Sequence, residues 1–305
     1  MITRRAHAIS LIAVFLALAV GVVLGSGLLS GEVVTVLRGE RAQLQENVDR
    51  LTAETADLQA QLDRADAFDG AMAERVVRGA LSGRTVVVLA APDADPESLT
   101  AIESIIGTAG GAVTGRVTLT QDALSTANGD DLRTRATSVV PQGVQLQTAA
   151  VDQGSIAGDL LGATLLRDPG TGQPRAAGAD VELVLGALRS AGYLQVEGLP
   201  EAADLAVVVS GPSADGNAGA LLARFTTALR PRGAGAVLAG PVAAAEGSGP
   251  IATVRADTAD SAVSTVDGVD RHAGQIALVL ALAEQSAGGS GQYGLSTGAA
   301  AFAAG

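Results

Sequence analysis

Thr85-Val86-Val87-Val88-Leu89-Ala90 is a continuous apolar run rich in β-branched residues, and Asp93-Ala94-Asp95-Pro96 follows it closely. A strand buried on both faces of a parallel sheet reads this way, without polar alternation. Asp93–Pro96 reads as a turn, with Pro96 suited to the first helical position. Glu97–Ala109 then sets Leu99, Ile102, Ile105 and Ile106 on one helical face. Gly110-Gly111 stops that helix, and Ala112–Leu119 reads as a second strand. Strand, helix and strand make a β-α-β unit, the building block of a parallel sheet.

The pattern repeats downstream. Asp152–Leu166 and Asp180–Ala191 read as helices, and Leu205–Ser210 as another buried strand. Asn217–Leu229 is a helix, Gly235–Ala239 a strand, and Ile251–Arg255 a further short strand. Arg271–Gln285 closes the series as an apolar helix. Alternating strands and helices predict an open, mainly parallel, Rossmann-like α/β domain over residues 84–287. Arg167–Ala179 reads as a mobile insertion, and 288–305 as a Gly/Ala/Ser tail with no reason to fold.

Upstream, Ala8–Gly31 carries no charge and no polar face. At the helical rise its length reaches about 36 Å, enough for a hydrocarbon core of about 30 Å. The stretch is longer than a signal-peptide core and lacks a clear small-residue cleavage site, so an uncleaved transmembrane helix is favoured over a cleaved signal. Arg4 and Arg5 precede it, and the next Arg is Arg38, which places residues 1–7 in the cytoplasm and the bulk of the chain outside. Gly21 and Gly25 form a G-x-x-x-G pair suited to close packing of two membrane helices.

A heptad pattern follows over residues 32–66. Leu37, Leu44, Leu51 and Leu58 take the d positions, and Val34, Val48 and Leu62 share the a positions with Arg41 and Thr55. Val at a with Leu at d favours two strands, while polar a residues fix register and weaken the coil. The expectation is a marginal coiled-coil stalk that pairs with a second copy or a partner helix. An amphipathic helix folded back on the downstream domain is the alternative. Residues 67–83 read as a helical connector, broken at Gly79 and Gly83.

Composition excludes much chemistry. The 305 residues include no Cys and no Lys, so disulfides, thiol nucleophiles, a P-loop lysine and Schiff-base lysines are absent. A net charge of −12, with no Trp, argues against nucleic acid. The loops after the expected strands carry no phosphate fingerprint, and Gly107-Thr108-Ala109-Gly110-Gly111 follows a helix rather than a strand. His7 flanks the apolar span, and His272 opens the last helix beside Asp267 and Asp270. No G-x-S-x-G elbow accompanies it, so His272 reads as a solvated first-turn residue behind an Asp270 cap rather than as a catalytic base. Soft copper ligands are limited to Met1, Met72 and the two histidines. Asp152, Asp159, Asp267 and Asp270 are the carboxylates to watch. No cofactor or catalytic residue is expected; no metal-ligand cluster is visible, which leaves the metal ligands unassigned and copper open as a transported or sensed ion.

Ile2–Gly27, Val151–Gly162, Ser264–Asp270 and Gly291–Gly294 together resemble the actinobacterial copper transporter family MctB, also called SteB. The resemblance runs from the first residues to Tyr293. It implies a cell-envelope protein with a role in copper transport or homeostasis. It also implies a second role in cell separation, with a SteA-like membrane partner and regulation of a peptidoglycan hydrolase through the coiled coil. No catalytic motif is carried over with it.

Overall fold

A computed structural model describes residues 4–27, 30–212, 217–257 and 262–300, with the side chains of residues 4–6 and 24–38 left out. Two units divide between Ala65 and Asp66. In the first, α1 (Arg4–Gly27) and most of α2 (Ser30–Val77) are helical. Among the described residues no helix is long and apolar enough to cross a membrane. The expected span, Ala8–Gly31, reaches beyond the described side chains, which end at Val23, and takes in residues 28 and 29.

The second unit starts in the last three turns of α2. Gly79 and Gly83 take positive φ in the turns that follow, and the chain enters β1 (Thr85–Ala90). Next come α3 (Pro96–Thr108), β2 (Ala112–Leu119), α4 (Gly129–Ser138), α5 (Gln153–Leu165), α6 (Gly178–Ser190) and β3 (Leu194–Val196). They are followed by β4 (Leu205–Val209), α7 (Ala218–Leu229), β5 (Gly235–Gly240), α8 (Pro250–Ala256), β6 (Ser264–Asp267), α9 (His272–Ser286) and β7 (Gln292–Tyr293). The sheet order is β3-β2-β1-β4-β5-β6-β7, parallel throughout except where β3 runs against β2.

Alternate side chains of the central strands feed two cores. Val86 and Val88 pack with Ile102 and Ile106 of α3, Leu278 and Leu282 of α9, and Val77 of α2. Val87 and Leu89 point the other way, into a larger cluster with Leu160 of α5, Leu188 of α6 and Phe225 of α7. Helices on both faces explain why β1 after Thr85, and β4 throughout, carry no polar side chains.

Helix α5 is buried over its whole length. Gly154, Gly158 and Gly162 recur every four residues along it. A side chain at Gly158 would overlap the Phe225 carbonyl, and one at Gly154 would sit 2.5 Å from the Leu221 carbonyl oxygen. The stripe therefore lets α5 lie directly on the backbone of α7.

Three expectations are corrected. Ile251–Arg255 is helical, within α8, where Pro250 occupies the first turn. A short apolar run does not separate strand from helix, and Pro after Gly favours a helix start. Arg167–Ala179 is tied down rather than loose. Asp168 accepts from the amides of Gly170 and Thr171 and pairs with Arg175 at 2.7 Å, and Arg167 bridges Pro174. The stretch after residue 288 is not featureless, because β7 pairs with β6 and Tyr293 bridges Ala300.

Candidate functional site

Three places deserve chemical scrutiny: the apolar row on α2, the crevice beyond the carboxyl ends of β1 and β4, and the start of α9.

On α2, Leu44, Val48, Leu51, Leu58 and Leu62 are all more than half exposed. Exposed pairs stiffen the same helix. Arg50 meets Glu54 at 2.9 Å, and Gln45 and Gln59 donate to Asp49 and Asp63. Thr55 turns its hydroxyl back to the Leu51 carbonyl. These polar residues are thus satisfied within the helix, while the leucines keep more than half of their surface exposed among the described residues. The side chains of Val34 and Leu37 lie outside the described residues. So does that of Leu24, and no contact is described for Gly25; a side chain placed at Gly21 would meet no atom within 4 Å.

Open α/β sheets take ligands beyond the carboxyl ends of their strands. Here that crevice is a cavity of about 120 Å³ between Pro92, Asp93, Gln121, Ser210, Gly219 and Pro250. Small-molecule sites run from about 300 Å³ upward. Asp93 partly fills the crevice, accepting from the Gly211 amide at 3.2 Å, and a side chain at Gly211 would overlap it. An anion there would face a carboxylate. No cradle for a phosphate exists among the described residues around it.

The start of α9 is built differently from the expectation. Asp270 does not cap it. Asp66, the first residue of the second unit, reaches from α2 and accepts from the His272 amide at 2.8 Å through Oδ1 and from His272 Nδ1 at 2.9 Å through Oδ2. Burial opposes ionisation of that carboxyl, but the hydrogen bonds from His272 outweigh it and hold the carboxyl below its usual range. Gly70, one turn further along α2, lies against the His272 ring. A groove of about 310 Å³ beside the ring is lined by Gly70, Ala73, Glu74, Ser104, Thr108 and Gln275. His272 itself is half exposed. A glycine inside a helical pattern does not by itself mark such a contact: Gly70 lies against His272, whereas Gly186 in α6 has nothing within 4 Å of an added carbon.

The other carboxylates are structural. Asp152 caps α5 through the amides of Gly154 and Ser155. Asp159 is fully buried and pairs with Arg232 Nε at 2.6 Å, while also accepting from the Gln147 amide. Asp267 is fully buried against Arg255. Among the described residues no three of His, Cys, Asp and Glu gather as a metal site.

A family model described as "Copper transport outer membrane protein, MctB" matches residues 1–304. The chain belongs to the MctB family. Proteins named "Copper transporter MctB" from Mycobacterium tuberculosis (strain ATCC 25618 / H37Rv) and Mycobacterium bovis are 43% identical to it over 98% of both chains. The MctB protein of Mycobacterium leprae is 43% identical, again over 98% of each. In this MctB-family chain the four segments that carried the resemblance include the α5 glycine stripe, β6 with its buried Asp267, and β7, all of which serve packing.

Proposed function

We propose that this MctB-family chain is a cell-envelope protein acting in copper transport or homeostasis. In this reading the apolar segment Ala8–Gly31 anchors it with the N-terminus in the cytoplasm, and α2 pairs it with a second copy or a partner. The observation that carries the copper role is the 43% identity, over 98% of both chains, to proteins named copper transporters. The anchor is supported by the length and apolarity of the segment and by Arg4 and Arg5 before it. A single span makes no pore alone, so assembly through α2 fits a transport role better than a solitary chain does.

The exposed leucines of α2 favour a second reading, an interaction scaffold in cell separation that regulates a peptidoglycan hydrolase through the coiled coil. One experiment tests both. A strain lacking the protein is complemented with the full chain or with Leu44→Glu/Leu51→Glu/Leu58→Glu, which keeps the helix and removes its apolar row. Copper transport predicts raised cellular copper in the deletion and no rescue by the triple variant. Normal copper with unseparated cells would replace the first reading with the second.

A further inference from the structure

We infer that α2 pairs with a second copy of this chain, parallel and in register, and that Arg41 of each copy meets Glu40 of the other to set that register; the inference rests on the reading of α2 as a pairing helix and names its partner.

The seam is suited to burial. Leu44, Val48, Leu51, Leu58 and Leu62 keep more than half of their surface exposed along one face of α2. Val at a with Leu at d favours two strands. Thr55 shares the a row, and its hydroxyl donates to the Leu51 carbonyl at 2.7 Å. Covering Thr55 therefore leaves no donor unpaired. Beside the seam, Gln45 donates to Asp49, Gln59 to Asp63 and Arg50 to Glu54, each one turn along the same helix. Those bonds hold the flanking side chains on their own helix and leave the apolar row open.

Arg41 is the cation in the a row. Arg50 and Arg78 pair with carboxylates one turn away on α2, at 2.9 Å and 2.8 Å, and no described ion pair takes in Arg41. In a parallel coil each a side chain enters a hole framed by four residues of the facing helix, and the g residue just before the same layer is one of them. For Arg41 that residue is Glu40 of the second copy. Two symmetric Arg–Glu contacts then offset the two cations, and the flanking pairs Glu40 with Gln45 and Glu54 with Gln59 bring no like charges together. A slip of one heptad puts Asn47 in place of Glu40 for one copy and Val33 for the other, and no whole-heptad slip gives both copies a carboxylate. An unrelated helix would need an acidic residue at that one layer, whereas a second copy supplies it by symmetry. Direction follows from the anchor. An antiparallel pair would set the two N-terminal apolar segments at opposite ends of a row about 40 Å long, and a parallel pair keeps both in one bilayer.

The chain has no Cys, so one introduced thiol reports on itself. The full chain carrying Leu44→Cys or Leu58→Cys is oxidised mildly in native membranes and run without reductant. Both variants should give a disulfide-linked dimer, because d residues in register face their own counterparts within disulfide reach. Ala53→Cys, on the face opposite the seam, should not. In the Leu44→Cys background, Arg41→Glu should lower the linked fraction about 10-fold by setting like charges in one layer, and adding Glu40→Arg should restore it. Absence of a self-linked product from both thiols, as an antiparallel pair would give, overturns the inference. A product joined to a different protein overturns it too and leaves the pairing reading standing. Linked dimers indifferent to Arg41→Glu overturn the register assignment. Normal copper in a deletion strain, with both thiols self-linked, removes the copper reading and upholds this one.

Discussion

Arg255 on α8 donates to Asp267 at the end of β6 at 2.7 Å, with both side chains buried, and the last strand of the sheet hangs on that pair. Asp267 also accepts from the amides of Leu295 and Ser296, and Arg255 donates to the Tyr293 carbonyl. Gly294 fits because any side chain there would overlap the Asp267 carboxyl.

Removing one partner of a buried pair leaves the other uncompensated and costs about 3–5 kcal/mol. Asp267→Ala is expected to lose that much in urea unfolding. Amide exchange should rise first at Gln292–Ser296. Unaltered protection there would show that the strand is held by something else.

Asp159 and Arg232 form a second buried pair, which also pins the loop at Gln145 and Gln147. Asp159→Leu alone should destabilise by about 3–5 kcal/mol, whereas Asp159→Leu with Arg232→Met should recover much of the loss, since apolar replacements of whole pairs are tolerated. Urea midpoints of the single and double variants decide it. A double variant no better than the single would mean that the loop contacts, not the stranded charge, carry the cost.

Two helix glycines should respond oppositely to alanine. Gly158 faces the Phe225 carbonyl with no room, so Gly158→Ala should force α5 from α7 and cost about 3 kcal/mol. Gly186 in α6 has nothing within 4 Å of the added carbon, and Gly186→Ala should gain about 0.5–1 kcal/mol from helix propensity. Thermal melts read both signs.

Asp95 caps α3, and bonds from the Ser98 amide and hydroxyl hold its carboxyl below the usual range. A carboxyl lower in the folded than in the unfolded state stabilises above about pH 4 and loses that contribution as the pH falls further. Asn caps a helix about as well as Asp. Asp95→Asn should therefore match the wild type near neutral pH and show a shallower loss of melting temperature between about pH 4 and pH 2. An identical acid limb would remove Asp95 from the account.

Much of the α/β unit was legible because its strands are buried on both sides. β1, β4 and β5 are unbroken apolar runs, and α3 announced itself by Pro96 and a clean inward face. β6 was not legible. Ser-Thr-Val-Asp has one apolar residue in four, yet all are buried, because Gln285 and Gly291 engage Ser264 and Arg255 engages Thr265 and Asp267. Strand signals assume apolar burial, and a strand whose burial is balanced by hydrogen bonds escapes them. β3 escaped for its length, three residues at an edge.

The site followed the same logic. His272 was visible as one of two histidines, but its partners are Asp66 and Gly70, more than 200 residues earlier. Helical spacing puts those two on one face of α2, and nothing local says which helix that face meets. The exposed row on α2 was readable from the heptad alone, since leucines every seven residues need no tertiary context.

The central position of β1 has a consequence for biosynthesis. It lies between β2 and β4, and Thr85 shares hydrogen bonds with Asp204, 119 residues later. A nascent chain that has emerged only through β2 can pair one side of β1 and leaves Val86–Ala90 with a bare edge until Leu205–Val209 arrives. At about 5–20 residues per second, synthesis keeps that edge open for many seconds. During that interval the bare edge of β1 is open to pairing with another chain, and pauses before Leu205 emerges should raise the tendency to aggregate.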